Sequence, residues 1–217
     1  MTVMVFAAHP DDEVLGPGAT IAKYAKQEPV IVVIFSFGDS KLWARLMEPG
    51  KARSRLEIIK VRMKETQRAC DILGVKKVIF LGLSDANIAK EVRDRKVEKR
   101  VKALIEKYKP RLILYHSQKD GHVDHLAVNK LLTKVIFELD YKPKVMTYQI
   151  NRWDILGLRH AQYLEDVTDT FKLKLKALEK YKSQRFLINL LKKVVILKSL
   201  LAGKKMGVKY AEPFYEV

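Results

Sequence analysis

Cysteine is all but missing: Cys70 is the single one among 217 residues. No internal disulfide can form and no cysteine cluster can hold a metal, so any metal site must draw on histidine and carboxylate. Cys70 falls in a helical pattern and is expected in the core. Long apolar runs are missing too, because the most apolar stretch, 185–202, is broken by Lys192, Lys193 and Lys198, which excludes a spanning segment. Nothing with the layout of a signal peptide opens the chain, since residues 1–8 run straight into an acidic cluster. The expectation is a cytoplasmic protein.

Acid is scarce as well: Asp and Glu total 25 against 42 Lys and Arg, for a net charge of +17. Such a surface attracts anions, whether nucleic acid, phosphorylated molecules or an acidic membrane face. The cations are interleaved with acids, as in Lys90-Glu91-Val92-Arg93-Asp94-Arg95-Lys96, rather than gathered in one tail. That arrangement suits the ion-paired surface of a heat-adapted protein. No nucleic-acid partner is expected, while peripheral contact with an anionic membrane and a homo-oligomer stay open. With 48% hydrophobic residues the chain is too apolar to be disordered, and 217 residues suit a single domain covering 1–217.

What is present is a regular alternation. Thr2 to Ala7 and Val30 to Phe35 are short, β-branched apolar runs that read as inner strands of a sheet covered on both faces. Residues 77–81 and 111–115 continue the series, with helical patterns over 13–26, 52–73, 91–109 and 126–139 between and after them. The pattern predicts an α/β, Rossmann-like three-layer α/β/α fold with a mostly parallel sheet. Residues 144–150 and 162–167 read as further strands at its far side, and 36–50 as a long loop that serves as a lid or is an insertion. The stretch 185–202 reads as a helix packed on the body or on another subunit, with a membrane-surface helix as the minor reading.

Two clusters carry the chemistry. His9-Pro10-Asp11-Asp12-Glu13 follows the first strand, and Asp120-Gly121-His122-Val123-Asp124-His125 follows the fourth. In open α/β sheets, ligands bind at the carboxyl ends of the strands. One imidazole and two carboxylates within four residues repel and desolvate badly unless a cation neutralises them, although acids at a helix N-terminus also serve as caps. Joined, the clusters let His9, Asp12 and His125 grip one ion, the two-imidazole, one-carboxylate set of many hydrolytic zinc sites. Asp11 and His122 are left over. A carboxylate to take a proton from water and an imidazole to face an oxyanion are what amide hydrolysis needs, with Asp124 placed to orient His122 and favour its charged form.

These residues resemble the LmbE/PIG-L family of zinc-dependent N-acetylglucosamine deacetylases. The likeness extends to Arg62 and Glu65, to the Leu81-Gly82 to Asp85 loop, to Lys176-Ala177-Leu178 with Ser183-Gln184, and to Ala211-Glu212-Pro213-Phe214. It implies zinc on His9, Asp12 and His125, Asp11 as general base, and His122 with Asp124 as electrostatic stabiliser and proton donor. It also implies Arg62 and Asp85 as sugar contacts and an N-acetylated sugar as substrate. The chain departs from many relatives after the second strand, with Ser36-Phe37-Gly38 and a basic loop containing Trp43 and Arg45 where those have Thr-x-Gly. Two other readings stay open: an amidase for another sugar amide or thiol conjugate, and a basic anion- or membrane-binding protein with a vestigial site.

Overall fold

The computed structural model describes residues 1–48, 50, 51, 53–150, 158 and 160–217. A central sheet runs in the order β3-β2-β1-β4-β5, formed by Val3–Ala7 (β1), Val30–Ser36 (β2), Lys77–Leu83 (β3), Leu112–His116 (β4) and Lys144–Tyr148 (β5). Every pairing within it is parallel. The fold is thus a three-layer α/β/α arrangement with a mostly parallel sheet, as the alternation predicts.

The layering follows from the two-residue period of a strand. Val3, Val5 and Ala7, with Val30, Val32 and Ile34, face one core. There they meet residues of Asp12–Leu15 (α1), Gly18–Ala25 (α2), Arg55–Leu73 (α4) and Phe171–Leu178 (α8). Met4, Phe6 and Ala8, with Ile31, Val33 and Phe35, face the other core. That core is covered by Ile88–Glu91 (α5), Arg95–Tyr108 (α6) and Val123–Phe137 (α7). Both faces of β1 are fully buried, which is why its sequence is uniformly apolar.

Four boundaries differ from the sequence reading. The stretch 36–50 contains a helix, Lys41–Met47 (α3), capped by Ser40 Oγ, which accepts the Trp43 amide at 3.2 Å. The charged helix over 91–109 begins only at Arg95, where the Asp94 carboxylate accepts the Lys96 amide at 2.8 Å and caps α6, and residue 91 ends the separate short helix α5. The helix over 13–26 is likewise two, α1 and α2, separated at Gly16 and Pro17. Tyr163–Asp166 (β6) does not join the main sheet. It pairs antiparallel with Ala211–Phe214 (β7), and this ribbon touches the sheet edge through the Thr147–Tyr215 bridge on β5.

The last helix, Arg185–Met206 (α9), packs along the β6–β7 ribbon and buries Ile188, Ser199, Ala202 and Gly203. Gly203 permits the close approach, since a Cβ there would lie 2.6 Å from the Lys209 carbonyl oxygen. Among the described residues no helix is long and apolar enough to cross a membrane. The order of the sheet reverses at β1, with β2 on one side and β4 on the other, so the segments leaving their carboxyl ends diverge and open a crevice.

Candidate functional site

The crevice gathers the two clusters. His9 and Asp12 hang from the end of β1, while His116 closes β4 and His125 lies in the first turn of α7. Their meeting point is Asp12 Oδ2, which lies 3.2 Å from His9 Nδ1, 3.2 Å from His125 Nε2 and 3.4 Å from His116 Nε2. The ring centroids of His116 and His125 stack at 3.8 Å. Burial opposes ionisation of Asp12, but His125, His116 and His9 hold its carboxyl well below the usual range.

The imidazoles answer that charge. Burial works against a charged His9, but hydrogen bonds to Asp12 and Asp124 outweigh it and raise the ring to about 10. His9 Nε2 lies 3.2 Å from both Asp124 Oδ2 and Asp85 Oδ1. Burial is likewise overcome at His125, which Asp12 and Asp120 raise to about 9, with Asp120 Oδ1 3.0 Å from Nδ1. The carboxylates around them thus draw both rings toward their charged forms.

A metal fits this set. His9, His122 and His125 can each turn a ring nitrogen, and Asp12, His116 and His125 a donor atom, to within 4.8 Å of one another in two overlapping groups. The donors are nitrogen and carboxylate oxygen with no thiolate, a chemistry suited to zinc and similar divalent ions. Such an ion would displace the two ring protons. Asp120 on the far nitrogen of His125 is the usual outer partner of a ligating imidazole.

Asp11 stands beside this centre with a strained backbone, φ 102° at a residue that is not glycine. Its amide donates to Glu13 Oε2 at 3.0 Å, and Arg62 Nη2 on α4 donates to both the Pro10 carbonyl and, at 3.1 Å, Asp11 Oδ2. Burial pushes the Asp11 carboxyl up to about 6, with the Arg62 guanidinium opposing it. Gly38 leaves room for that guanidinium, because a Cβ there would lie 2.9 Å from Arg62 Nε.

His122 is the N-cap of α7, and its Nδ1 accepts the Asp124 amide at 3.2 Å. A neutral ring in that bond carries its proton on Nε2. Asp124 is directed elsewhere than the sequence suggests: its carboxylate takes His9 Nε2 and the Ala89 amide, and Oδ2 stands 4.0 Å from His122 Nδ1. Burial, followed by the charges of His125 and His9, lowers the pKa of His122. The ring is held toward its neutral form, with the Asp12 and Asp124 charges opposing burial only in part.

All eight residues singled out from the sequence, His9, Asp11, Asp12, Arg62, Asp85, His122, Asp124 and His125, line one cleft of about 460 Å³. His116 and Asp120 were not among them. His116 terminates the apolar run of β4, and its Nε2 accepts the Ala8 amide at 3.0 Å. The signal for Asp120 is its place in the same tight turn as His122 and His125.

The profile of the PIG-L family, GlcNAc-PI de-N-acetylase, matches residues 4–136, more than half of the chain. The chain belongs to the PIG-L family. Among its PIG-L relatives, a probable N-acetyl-α-D-glucosaminyl L-malate deacetylase 2 of Bacillus cereus is 27% identical over 187 residues, covering 84% of this chain and 83% of that protein. A diacetylchitobiose deacetylase of Thermococcus kodakarensis is 26% identical over 223 residues, covering 97% of this chain and 80% of the relative. The fold also matches GalB of Pseudomonas putida KT2440, a 4-carboxy-2-hydroxymuconate hydratase, with a TM-score of 0.81 at 24% identity over 100% of this chain and 95% of that one. One fold thus carries a hydratase as well as deacetylases, and the reaction has to be argued from the site.

Proposed function

We propose that this PIG-L protein is a metal-dependent N-deacetylase, a single-domain hydrolase that releases acetate from an N-acetylated glucosamine unit. The observation that carries the reading is the convergence of three imidazoles on Asp12 Oδ2 beside the buried Asp11 carboxyl. His9, Asp12 and His125 would hold the ion, taken as zinc, which supplies Lewis acidity at the acyl oxygen and makes water more acidic.

The chain's own residues do the rest. Asp11 takes a proton from the attacking water, and Arg62 fixes its carboxylate and keeps it available as a base. His122 donates from Nε2 to the oxygen that gains charge as water adds, and a neutral donor suffices for this. The C–N bond then breaks, and the proton that Asp11 took from the water passes to the departing amine. Asp124 positions both His122, through its backbone amide, and His9, through its carboxylate. Arg62 and Asp85 reach the cleft as sugar contacts.

The test is acetate release from a panel of N-acetylglucosamine derivatives by metal-loaded protein, with metal content measured alongside. Asp11→Ala is expected to retain its metal and lose about 10²- to 10⁴-fold in kcat. Full activity in that variant would overturn the assignment of the base, and no acetate from any derivative would overturn the reaction.

A further inference from the structure

We infer that Tyr181 and Glu13 are positioning residues that hold the base Asp11 from behind the cleft, with Glu13 gripping its backbone and Tyr181, through Arg62, its carboxylate. The inference rests on the deacetylase reading, in which Asp11 takes the proton from water. Neither Tyr181 nor Glu13 borders the cleft, so what they contribute reaches a substrate through Asp11.

Asp11 needs such a hold. It is the N-cap of α1, yet its carboxylate makes no bond to the helix amides, the usual use of an acid there, and its backbone sits in the left-handed region at φ 102°. A residue other than glycine persists in that conformation only where its neighbours fix it. The fixing bond runs from the Asp11 amide to Glu13 Oε2 and is 3.0 Å long. Glu13 is wholly buried, and its other oxygen, Oε1, accepts the Tyr181 hydroxyl. That hydroxyl sets which way the Glu13 carboxylate faces.

The second arm runs over the face of the same ring. The Arg62 guanidinium carbon lies 5.6 Å from the Tyr181 ring centroid, within the range of a cation–π contact. Arg62 Nη2 donates to Asp11 Oδ2 at 3.1 Å, while its Nε and Nη1 are buried with no hydrogen-bond partner among the described residues. The ring face is the compensating contact for that part of the cation. Tyr181 is itself buried and comes from the connection between α8 and α9, just ahead of Ser183-Gln184. One side chain from a distant segment thus meets both groups that hold the base. A displacement of about 1 Å at a reacting group costs up to about 10²-fold in rate, which sets the size of effect to expect.

The experiment measures acetate release, metal content and amide exchange on metal-loaded wild type and four variants, using the N-acetylglucosamine derivative that wild type turns over fastest. Tyr181→Phe removes only the hydroxyl and Tyr181→Leu the ring as well. Glu13→Gln keeps an oxygen for the Asp11 amide and a polar group for Tyr181, and Glu13→Leu keeps neither. Tyr181→Phe and Glu13→Leu are expected to lose about 10- to 10²-fold in kcat with KM and bound metal unchanged. Tyr181→Leu should lose more than Tyr181→Phe, and Glu13→Gln should stay within about threefold of wild type. Tyr181→Phe and Glu13→Gln preserve the packing and carry the test where a leucine variant does not fold. Losses matched by a rise in KM or by lost metal, or a Glu13→Gln as slow as Glu13→Leu, would assign these residues to packing and overturn the inference. Hydrogen exchange of the Asp11 amide, followed by NMR relative to the Val5 amide in β1, tests the hold without turnover. It should quicken at least about tenfold in Tyr181→Phe and Glu13→Leu but not in Glu13→Gln. Hydrolysis by wild type with kcat unmoved in the variants overturns the hold and leaves the deacetylase reading standing. Quickened exchange with no hydrolysis of any derivative overturns the deacetylase reading and leaves the hold standing. Unmoved exchange and no hydrolysis overturn both.

Discussion

Asp11 is held between opposing demands. Burial favours its neutral form and Arg62 its charged one, with the balance at about 6. A base must be unprotonated, so kcat/KM is expected to fall as pH drops through about 6 and to level off above it. Arg62→Met removes the opposing charge, and its pH–rate profile should show the acidic limb displaced to higher pH; an unmoved limb would mean that some other group titrates. Asp11 and His9 were readable in the chain because a turn packed with acids beside a histidine leaves two explanations, helix capping or a cation, and a second histidine cluster after the fourth strand favours the cation. His116 was not, since an imidazole at the end of Leu112-Ile113-Leu114-Tyr115 looks the same whether it fills a core or faces a site. The orientation of Asp124 was also hidden, because spacing gives proximity to His122 but not which of its groups, amide or carboxylate, meets the ring.

At the scale of elements, strands were the most legible feature because both faces of β1 and β2 are buried and their composition is uniform. α3 was hidden because it buries nothing and so shows no apolar stripe toward the core. The partnership of β6 with β7 was hidden because four-residue strands carry no register information. The joint between α8, α2 and β7 depends on one ion pair: Lys174 Nζ donates to Glu212 Oε1 at 2.6 Å and to the Gly16 carbonyl at 2.7 Å, while Glu212 accepts the Ala19 and Thr20 amides at the start of α2. Both side chains are almost wholly enclosed. Lys174→Met strands the carboxylate, and denaturant titration should register a loss of about 3–5 kcal/mol. Adding Glu212→Gln should restore part of it by removing the charge, and no recovery would show that packing, not charge, is at stake.

The whole molecule carries +17 in net charge, more than its surface ion pairs offset. Pairs such as Lys134–Glu98 at 2.8 Å and Lys51–Glu48 at 2.8 Å lie at the surface and contribute little each, whereas the excess of like charge repels throughout the surface. Raising salt from about 0.02 to about 0.2 M shortens the screening length from roughly 20 to 7 Å and is expected to raise Tm in calorimetry. A Tm that falls with salt would assign the larger role to the pairs.

The hydrogen bond from the Ala8 amide to His116 Nε2 joins residues 108 positions apart in sequence. A contact so distant forms only after the chain has closed a very large loop, which is entropically unfavourable and slow. An ion gripped by His9, Asp12 and His125 would therefore be taken up after the helical signal appears, together with the docking of β1 against β4. The metal would act as a clock for the last long-range step of assembly.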